Sequence, residues 1–296
     1  MSSPVTFKDS LAKTAQHLET VLDDVLPKPI GHQAVVAEAM RYAAMGGGKR
    51  LRPFLLVQTA QLFGADDAGI WRAAAALECL HVYSLVHDDL PCMDDDDMRR
   101  GKPTVHKTYD EAIATLAGDA LLTLSFELMA SSSEDSARAL SMVKALAVAG
   151  GVNGMIGGQV IDITVSEDAR DEALITELQN LKTGALIEFG CHAGAVLAGA
   201  SGDDVARVRR YARDMGLAFQ IKDDILDVEG DADLVGKAVG KDADLGKATF
   251  VSILGLEPAR EMAAELGERA KSHLAPFGKD ADILCATVDF VLNRTH

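Results

Sequence analysis

The 296 residues suffice for one large or two average domains, and a composition of 48% apolar, 25% charged and only 5% aromatic residues is globular and leans toward helices. With 45 acidic against 29 basic groups the formal charge is −16, which argues against nonspecific attraction to nucleic acid or to anionic lipid. Cys79, Cys92, Cys191 and Cys285 form no CxxC spacing, so neither a zinc knuckle nor a disulfide framework is expected.

The opening stretch MSSPVTFKDSLAKTAQHLE has no uninterrupted apolar segment, and no later stretch reaches roughly 20 charge-free apolar residues, so no membrane span and a cytoplasmic location are expected. Apolar residues recur at i, i+3, i+4 and i+7 over 11–26, 68–89, 111–130 and 257–274, which predicts helices. Connections are expected at Pro27-Lys28-Pro29, Gly46-Gly47-Gly48, Gly101-Lys102-Pro103, Ser131-Ser132-Ser133, Ser201-Gly202-Asp203 and the glycine-rich 230–246. The segments 134–165 and 171–200 carry several glycines, which lower helix propensity but permit close helix approach. A single all-α domain over 1–296, an orthogonal bundle of roughly ten or more helices, is the simplest architecture.

In chain order, the first chemically loaded segment is Gly46-Gly47-Gly48-Lys49-Arg50-Leu51-Arg52-Pro53. It places Lys49 and Arg52 three apart at a helix start, where backbone N–H groups also attract phosphate. Next, His87-Asp88-Asp89-Leu90-Pro91-Cys92-Met93-Asp94-Asp95-Asp96-Asp97 puts six aspartates at the end of an apolar helix. Pro91 should end that helix, letting Asp94 fold back toward Asp88. By itself such a run is a solvated acidic loop. A second cluster, Phe219-Gln220-Ile221-Lys222-Asp223-Asp224-Ile225-Leu226-Asp227, alters that reading. Asp223 and Asp227 lie one helical turn apart within an apolar context, where carboxylates are costly unless cations compensate. Hard oxygen donors without thiolates point to Mg²⁺, with Mn²⁺ able to substitute. Arg99 and Arg100 follow the first cluster, and Lys182, Lys237 and Lys247 stand in KTGAL, GKAVG and GKAT.

GGKRLRP, YSLVHDDLPCMDDDDMRRGKPTVH, GGQVIDI, KTGAL, FQIKDDILD and GKAVGKDADLGKAT, in this order across about residues 46 to 250, resemble the trans-isoprenyl diphosphate synthases, most closely the bacterial short-chain farnesyl diphosphate synthases. The resemblance implies the isoprenoid synthase fold with its helical bundle around a central cavity, a homodimer, and condensation of isopentenyl diphosphate with an allylic diphosphate using three Mg²⁺ ions. It implies that Asp88 and Asp94 bind Mg²⁺ on one wall and Asp223 on the facing wall, with Asp89, Asp224 and Asp227 ligating or orienting water. It assigns Lys49, Arg52, His81 and Arg100 to isopentenyl diphosphate, and Arg99, Lys182, Gln220, Lys237 and Lys247 to the allylic diphosphate. Thr183 and Gln220 would present oxygen dipoles to the allylic cation. His81, seven residues before Asp88, shares its helical face, which supports a site role from spacing alone. Gln159 and Asp162 are either helix polar positions or supporting groups, and His87 is a candidate to orient Asp88. Tyr83 and Ser84, about one turn before Asp88, are candidates for the depth of the hydrocarbon cavity, and the resemblance marks Tyr83 as a chain-length floor.

Rival motifs fail on spacing. Gly240 to Ala248 is one residue too long for a P-loop and ends on Ala248 instead of a hydroxyl, while an EF-hand from Asp231 has Val235 and Asp242 at ligand positions. A di-iron bundle needs two ExxH sequences; Glu78-Cys79-Leu80-His81 is one, but Glu188 and His192 are four apart. A terpene cyclase shares the aspartate chemistry without needing Lys49, Arg52 and His81, and a noncatalytic subunit would normally lack one cluster. A geranylgeranyl diphosphate synthase is the nearest alternative.

Overall fold

The computed structural model describes residues 6–166, 169–229 and 249–294. The chain divides into two compact units, Met1–Leu146 with Val196–Gly199, and Ala147–Ala195 with Ala200–His296.

In the first unit, α1 (Phe7–Val25) is capped by the Thr6 hydroxyl, which accepts from the Asp9 N–H, and buries Thr14, Leu18 and Leu22 on one stripe. Next come α2 (Ala34–Ala44), α3 (Leu51–Leu62) and α4 (Ala68–Asp88). The Asp67 carboxylate caps α4 by accepting from the N–H groups of Gly69 and Ile70. From Ala73 to Leu80 every residue of α4 is buried, so this helix is the axis of the unit, and its alanines let α1, α3 and α6 lie close against it. A small antiparallel hairpin follows, β1 (Met98–Arg99) and β2 (Lys102–Pro103), pairing Met98 with Pro103 and Arg99 with Lys102. Its two turn residues, Arg100 (φ 52°) and Gly101 (φ 75°), both sit in the left-handed region that a two-residue hairpin of matching twist requires. After the single turn α5 (Val105–Thr108), Asp110 caps α6 (Glu111–Ala130) and α7 (Ser136–Gly150) begins. By length and composition α6 is apolar enough to cross a bilayer, which the sequence reading did not anticipate; here Ala114, Ala117, Leu121 and Leu128 are buried and α4 covers it.

The second unit holds α8 (Met155–Thr164), α9 (Glu172–Gln179), a π-helical turn Asn180–Gly184, α10 (Ala185–Leu197) and the long α11 (Gly202–Glu229). After the undescribed 230–248 come α12 (Phe250–Leu254), α13 (Leu256–Leu274), the 3₁₀ segment Ala275–Ala281 and α14 (Asp282–Asn293). α11 packs along α13 over a core that includes Leu217, Ile221, Ile225, Phe250 and Leu266. The expected 134–165 segment is therefore two helices, broken at residues 151–154 beside Gly154, and 171–200 is two helices joined by the π-helical turn.

Candidate active site

The last turns of α4 present three faces. Val82, Val86 and Asp89 share one with Leu85 and, together with Arg99 and Arg100, line a small cavity of about 40 Å³ that touches neither Tyr83 nor Asp88. Tyr83 and His87, one turn apart, stack edge to face with centroids 5.7 Å apart. His81, Ser84 and Asp88 occupy the third, where the Ser84 hydroxyl donates to the His81 carbonyl at 2.8 Å. The His87 ring is seated on α6, its Nε2 3.1 Å from the Thr115 carbonyl; a Cβ at Gly118 would come within 2.2 Å of that nitrogen, so only glycine lets the ring fit there. Burial and the nearby Asp88 charge push the Tyr83 phenol up to about 12.

Pro91 ends α4 as the sequence predicts. Beyond it the chain turns back, the Asp94 N–H donating to the Asp88 carbonyl at 2.8 Å and the Asp95 N–H to that of Leu90 at 3.1 Å. Asp88 and Asp94 are thus brought together through the backbone. Asp89 points elsewhere: it is buried, and its carboxylate accepts from Arg99 Nε at 2.9 Å and from Arg99 Nη2. Burial raises the Asp89 pKa while the Arg99 contact opposes that rise. Arg99 also lies 3.5 Å from Asp96. Asp95, Asp97 and His106 form a further group whose ligand atoms lie within 4.8 Å of one another, a grouping the sequence reading missed because His106 follows on a separate helix. Asp97 is also paired with Lys107 at 2.7 Å.

The phosphate-binding candidates at α3 are arranged around a buried ion network the sequence did not announce. Arg50, at φ 48° and 3% exposed, donates to Glu78 at 2.5 Å, Glu19 at 2.9 Å and the Ala44 carbonyl at 2.6 Å. Glu78 is thereby committed to Arg50, which removes the carboxylate a di-iron site would need. With Arg50 turned inward, its neighbour Lys49 is exposed. Arg52 Nη1 lies 3.2 Å from His81 Nε2, which brings these two candidates together, and Arg100 donates to the Gly47 carbonyl. Burial, then the charges of Arg52, Arg100, Arg50 and Arg99, hold the His81 pKa well below its ordinary value. His81 is therefore neutral, and a concentration of positive charge surrounds it that an anion would relieve.

In the second unit the π-helical turn carries Lys182 and Thr183. Such turns widen the helix locally and recur at functional positions. Gly158 of α8 backs directly onto it; an added Cβ would meet the Lys182 backbone nitrogen at 2.2 Å. Lys182 Nζ donates to Asp162 at 2.7 Å, and Asp162 also binds Arg170 at 3.2 Å, so Asp162 of GGQVIDI supports the lysine. Gln220 of α11 donates through Nε2 to Thr183 Oγ1 at 3.0 Å and to Gln179 Oε1 at 3.1 Å. Gln220, Asp223 and Asp227 follow at i, i+3 and i+7 on α11. Asp224 turns away: it is buried and its Oδ2 accepts from the Phe250 N–H at 2.8 Å, anchoring the start of α12. Arg294, which sequence reasoning missed, lies 2.7 Å from Asp223. Lys237 and Lys247 lie outside the described residues.

Residues 33–276 match the family described as polyprenyl synthetase. The chain belongs to the polyprenyl synthetase family. Among proteins of this family it is 44% identical to the farnesyl diphosphate synthase of Escherichia coli (strain K12) over 277 residues, 91% of this chain and 92% of that protein. It is 41% identical to the chloroplastic geranylgeranyl pyrophosphate synthase of Capsicum annuum over 297 residues, 99% of this chain and 80% of that one. The crystal structure of an FPP/GFPP synthase from Zymomonas mobilis superposes with a TM-score of 0.87 at 46% identity, covering 97% of this chain and 98% of the other. This polyprenyl synthetase is a prenyltransferase with the all-α isoprenoid synthase fold. Its aspartates suit a divalent metal: Asp88 and Asp94 are joined by a fold-back loop, Asp223 and Asp227 by one helical turn, and every donor is a hard oxygen of the kind Mg²⁺ takes.

Proposed function

We propose that this prenyltransferase is a cytoplasmic, homodimeric farnesyl diphosphate synthase that joins isopentenyl diphosphate to dimethylallyl and then geranyl diphosphate, the whole chain acting as one catalytic domain. Asp88, Asp94 and Asp223 hold Mg²⁺, with Asp227 ligating or orienting its water, while Asp89, buried against Arg99, steadies that arginine beside the first cluster; three ions bind with substrate, and Mn²⁺ substitutes. When bound, the metal supplies positive charge that stabilises the departing diphosphate. Lys49, Arg52, His81 and Arg100 hold isopentenyl diphosphate, and Arg99, Lys182 and Gln220, with Lys237 and Lys247, hold the allylic diphosphate.

The allylic C–O bond breaks, and diphosphate leaves with the electron pair. The isopentenyl double bond then attacks the allylic cation to form the new C–C bond, and the product regains its double bond by losing a proton to the diphosphate. Gln220, its Nε2 committed to Thr183 and Gln179, keeps a fixed amide orientation, which supports a role for Thr183 and Gln220 in presenting oxygen dipoles to the cation.

The observation that carries a two-substrate reading is the Arg52–His81 pair, with Arg100 nearby: His81 lies on the same helix as Asp88 and Arg52 reaches it from α3, which supports a second anion site beside the first aspartate cluster. The C15 product rests on Tyr83, whose buried ring lies about one turn before Asp88 and stops further growth, with the small Ser84 beside it leaving the chain unobstructed. A geranylgeranyl product is the second reading, favoured by the 41% identity to the Capsicum annuum synthase over nearly the whole chain. Incubating the purified protein with Mg²⁺, isopentenyl diphosphate and each allylic diphosphate in turn, then measuring product length, decides between them. A C15 end product supports the proposal, and accumulation of C20 from farnesyl diphosphate supports the second reading.

A further inference from the structure

The second aspartate cluster has a neighbour that no motif in the sequence marks. Arg294 follows the last residue of α14 in extended conformation (φ −66°, ψ 147°), and its side chain runs back to α11. There the guanidinium is 2.7 Å from Asp223 Oδ1, donates to the Phe219 carbonyl at 2.8 Å, and stacks over the Phe219 ring with Cζ 3.9 Å from the centroid. Phe219 and Asp223 are i and i+4, so one guanidinium brackets a single turn of α11. The arginine side chain is 6% exposed and the aspartate side chain 47% exposed. The cation is thus buried beneath the carboxylate, and the carboxylate reaches solvent above it.

Burying a guanidinium is costly, and the backbone carbonyl, the aromatic face and the carboxylate together offset that cost. Two of these three partners belong to Phe219 and do not depend on Asp223, so the guanidinium stays where it is whatever the carboxylate binds. A group anchored in this way acts as a fixed support for its partner. A group that plugs a site until displaced would need somewhere to go. Metal-binding carboxylates are themselves held by hydrogen bonds from outside the coordination sphere, and loss of such a support weakens metal binding.

We propose that Arg294 is a positioning residue that fixes the Asp223 carboxylate for divalent cation binding, so that this one arginine sets the metal affinity of the second aspartate cluster. The inference rests on the reading of Asp223 as a metal ligand, and the test separates the two. Lysine is a poor replacement, because one ammonium cannot reproduce the planar fork that spans the carbonyl, the ring and the carboxylate.

The experiment measures Mn²⁺ binding to the full chain in the presence of inorganic diphosphate, by electron paramagnetic resonance, without turnover. It compares wild type, Asp223→Asn, Arg294→Gln and Arg294→Lys, each checked for folding by melting in chelator. The site lost in Asp223→Asn is the one to follow. At that site Arg294→Gln should weaken binding roughly 10- to 100-fold, with a smaller loss in Arg294→Lys. If Arg294→Gln does not fold, the loss in Arg294→Lys decides. Unchanged affinity in the folded arginine variants, beside a lost site in Asp223→Asn, overturns the inference alone. Tighter binding overturns it too, since that is the signature of a competitor. Unchanged binding in Asp223→Asn removes the ligand reading and the inference with it.

Discussion

The two aspartate clusters present their carboxylates by different means. The first is a helix that stops: Pro91 ends α4, and backbone hydrogen bonds carry Asp94 back to Asp88 across a sequence distance that a straight helix would place on another face. The second is a helix that continues, where α11 delivers Asp223 and Asp227 by periodicity alone, one turn apart. In each, the adjacent aspartate takes a structural partner, Asp89 the Arg99 guanidinium and Asp224 the Phe250 N–H. A pair of neighbouring aspartates in a helix points in two directions about 100° apart, so one of the pair can face solvent while the other holds a neighbouring segment in place.

The largest test of this comparison is removal of the outward member of each cluster. Asp88→Ala and Asp223→Ala should each lower kcat by at least about 100- to 1,000-fold, while Asp96→Ala, whose carboxylate sits beside Arg99, should cost far less. Steady-state kinetics checks this, and similar losses at all three would mean that the acidic run acts collectively. Chelation with EDTA should abolish activity in wild type, and added Mg²⁺ or Mn²⁺ should restore it.

The difference between anion sites is sharpened next. Lys49→Ala or Arg52→Ala should raise KM for isopentenyl diphosphate by roughly 10- to 100-fold with a smaller change for the allylic substrate, since each removes charge-assisted contacts to phosphate. A change confined to the allylic KM would reverse the assignment of the two sites.

Tyr83→Ala should lengthen the product beyond C15 while costing about 3–5 kcal/mol of stability through the cavity left in a buried site. Product analysis together with thermal melting separates the effects, and a folded variant that still stops at C15 places the floor elsewhere.

The smallest expected effect is on pH dependence. His81 and His192 are both held below the ordinary histidine value, by burial first and then by neighbouring arginines. The unfolded chain therefore binds protons near its pKa of about 6.5 that the folded protein refuses, so stability is full above that pH and declines as pH falls through it. Melting between about pH 7.5 and 5.5 should show the decline, and His81→Gln should flatten it.

Features with a local period or a chain-breaking residue were legible in the sequence. The α4 stop at Pro91, the Asp223 and Asp227 spacing, and the shared face of His81 and Asp88 all follow from rules that act within one helix. The family resemblance assigns Arg52 and His81 to one substrate, and their contact across two helices is seen only in the fold. Features that depend on which distant group fills a buried polar demand were not legible. Arg50 sits between Lys49 and Arg52 in one basic run, yet only the fold reveals that it answers Glu78 and Glu19 from inside. Arg294 is 71 residues beyond Asp223 in the chain, and no spacing rule connects them. The π-helical turn was hidden for another reason: NLKTG contains weak helix formers, but nothing in it distinguishes a wider turn from a break.

The central claim, that one protein binds two diphosphates and joins their hydrocarbon parts, is tested most directly by omitting one substrate. Purified protein is incubated with Mg²⁺ and geranyl diphosphate, with and without isopentenyl diphosphate, and all organic products are identified. The account predicts a C15 diphosphate when both are present and no new hydrocarbon when isopentenyl diphosphate is left out. Cyclic or linear C10 products formed from geranyl diphosphate alone, with isopentenyl diphosphate unconsumed when supplied, would contradict it.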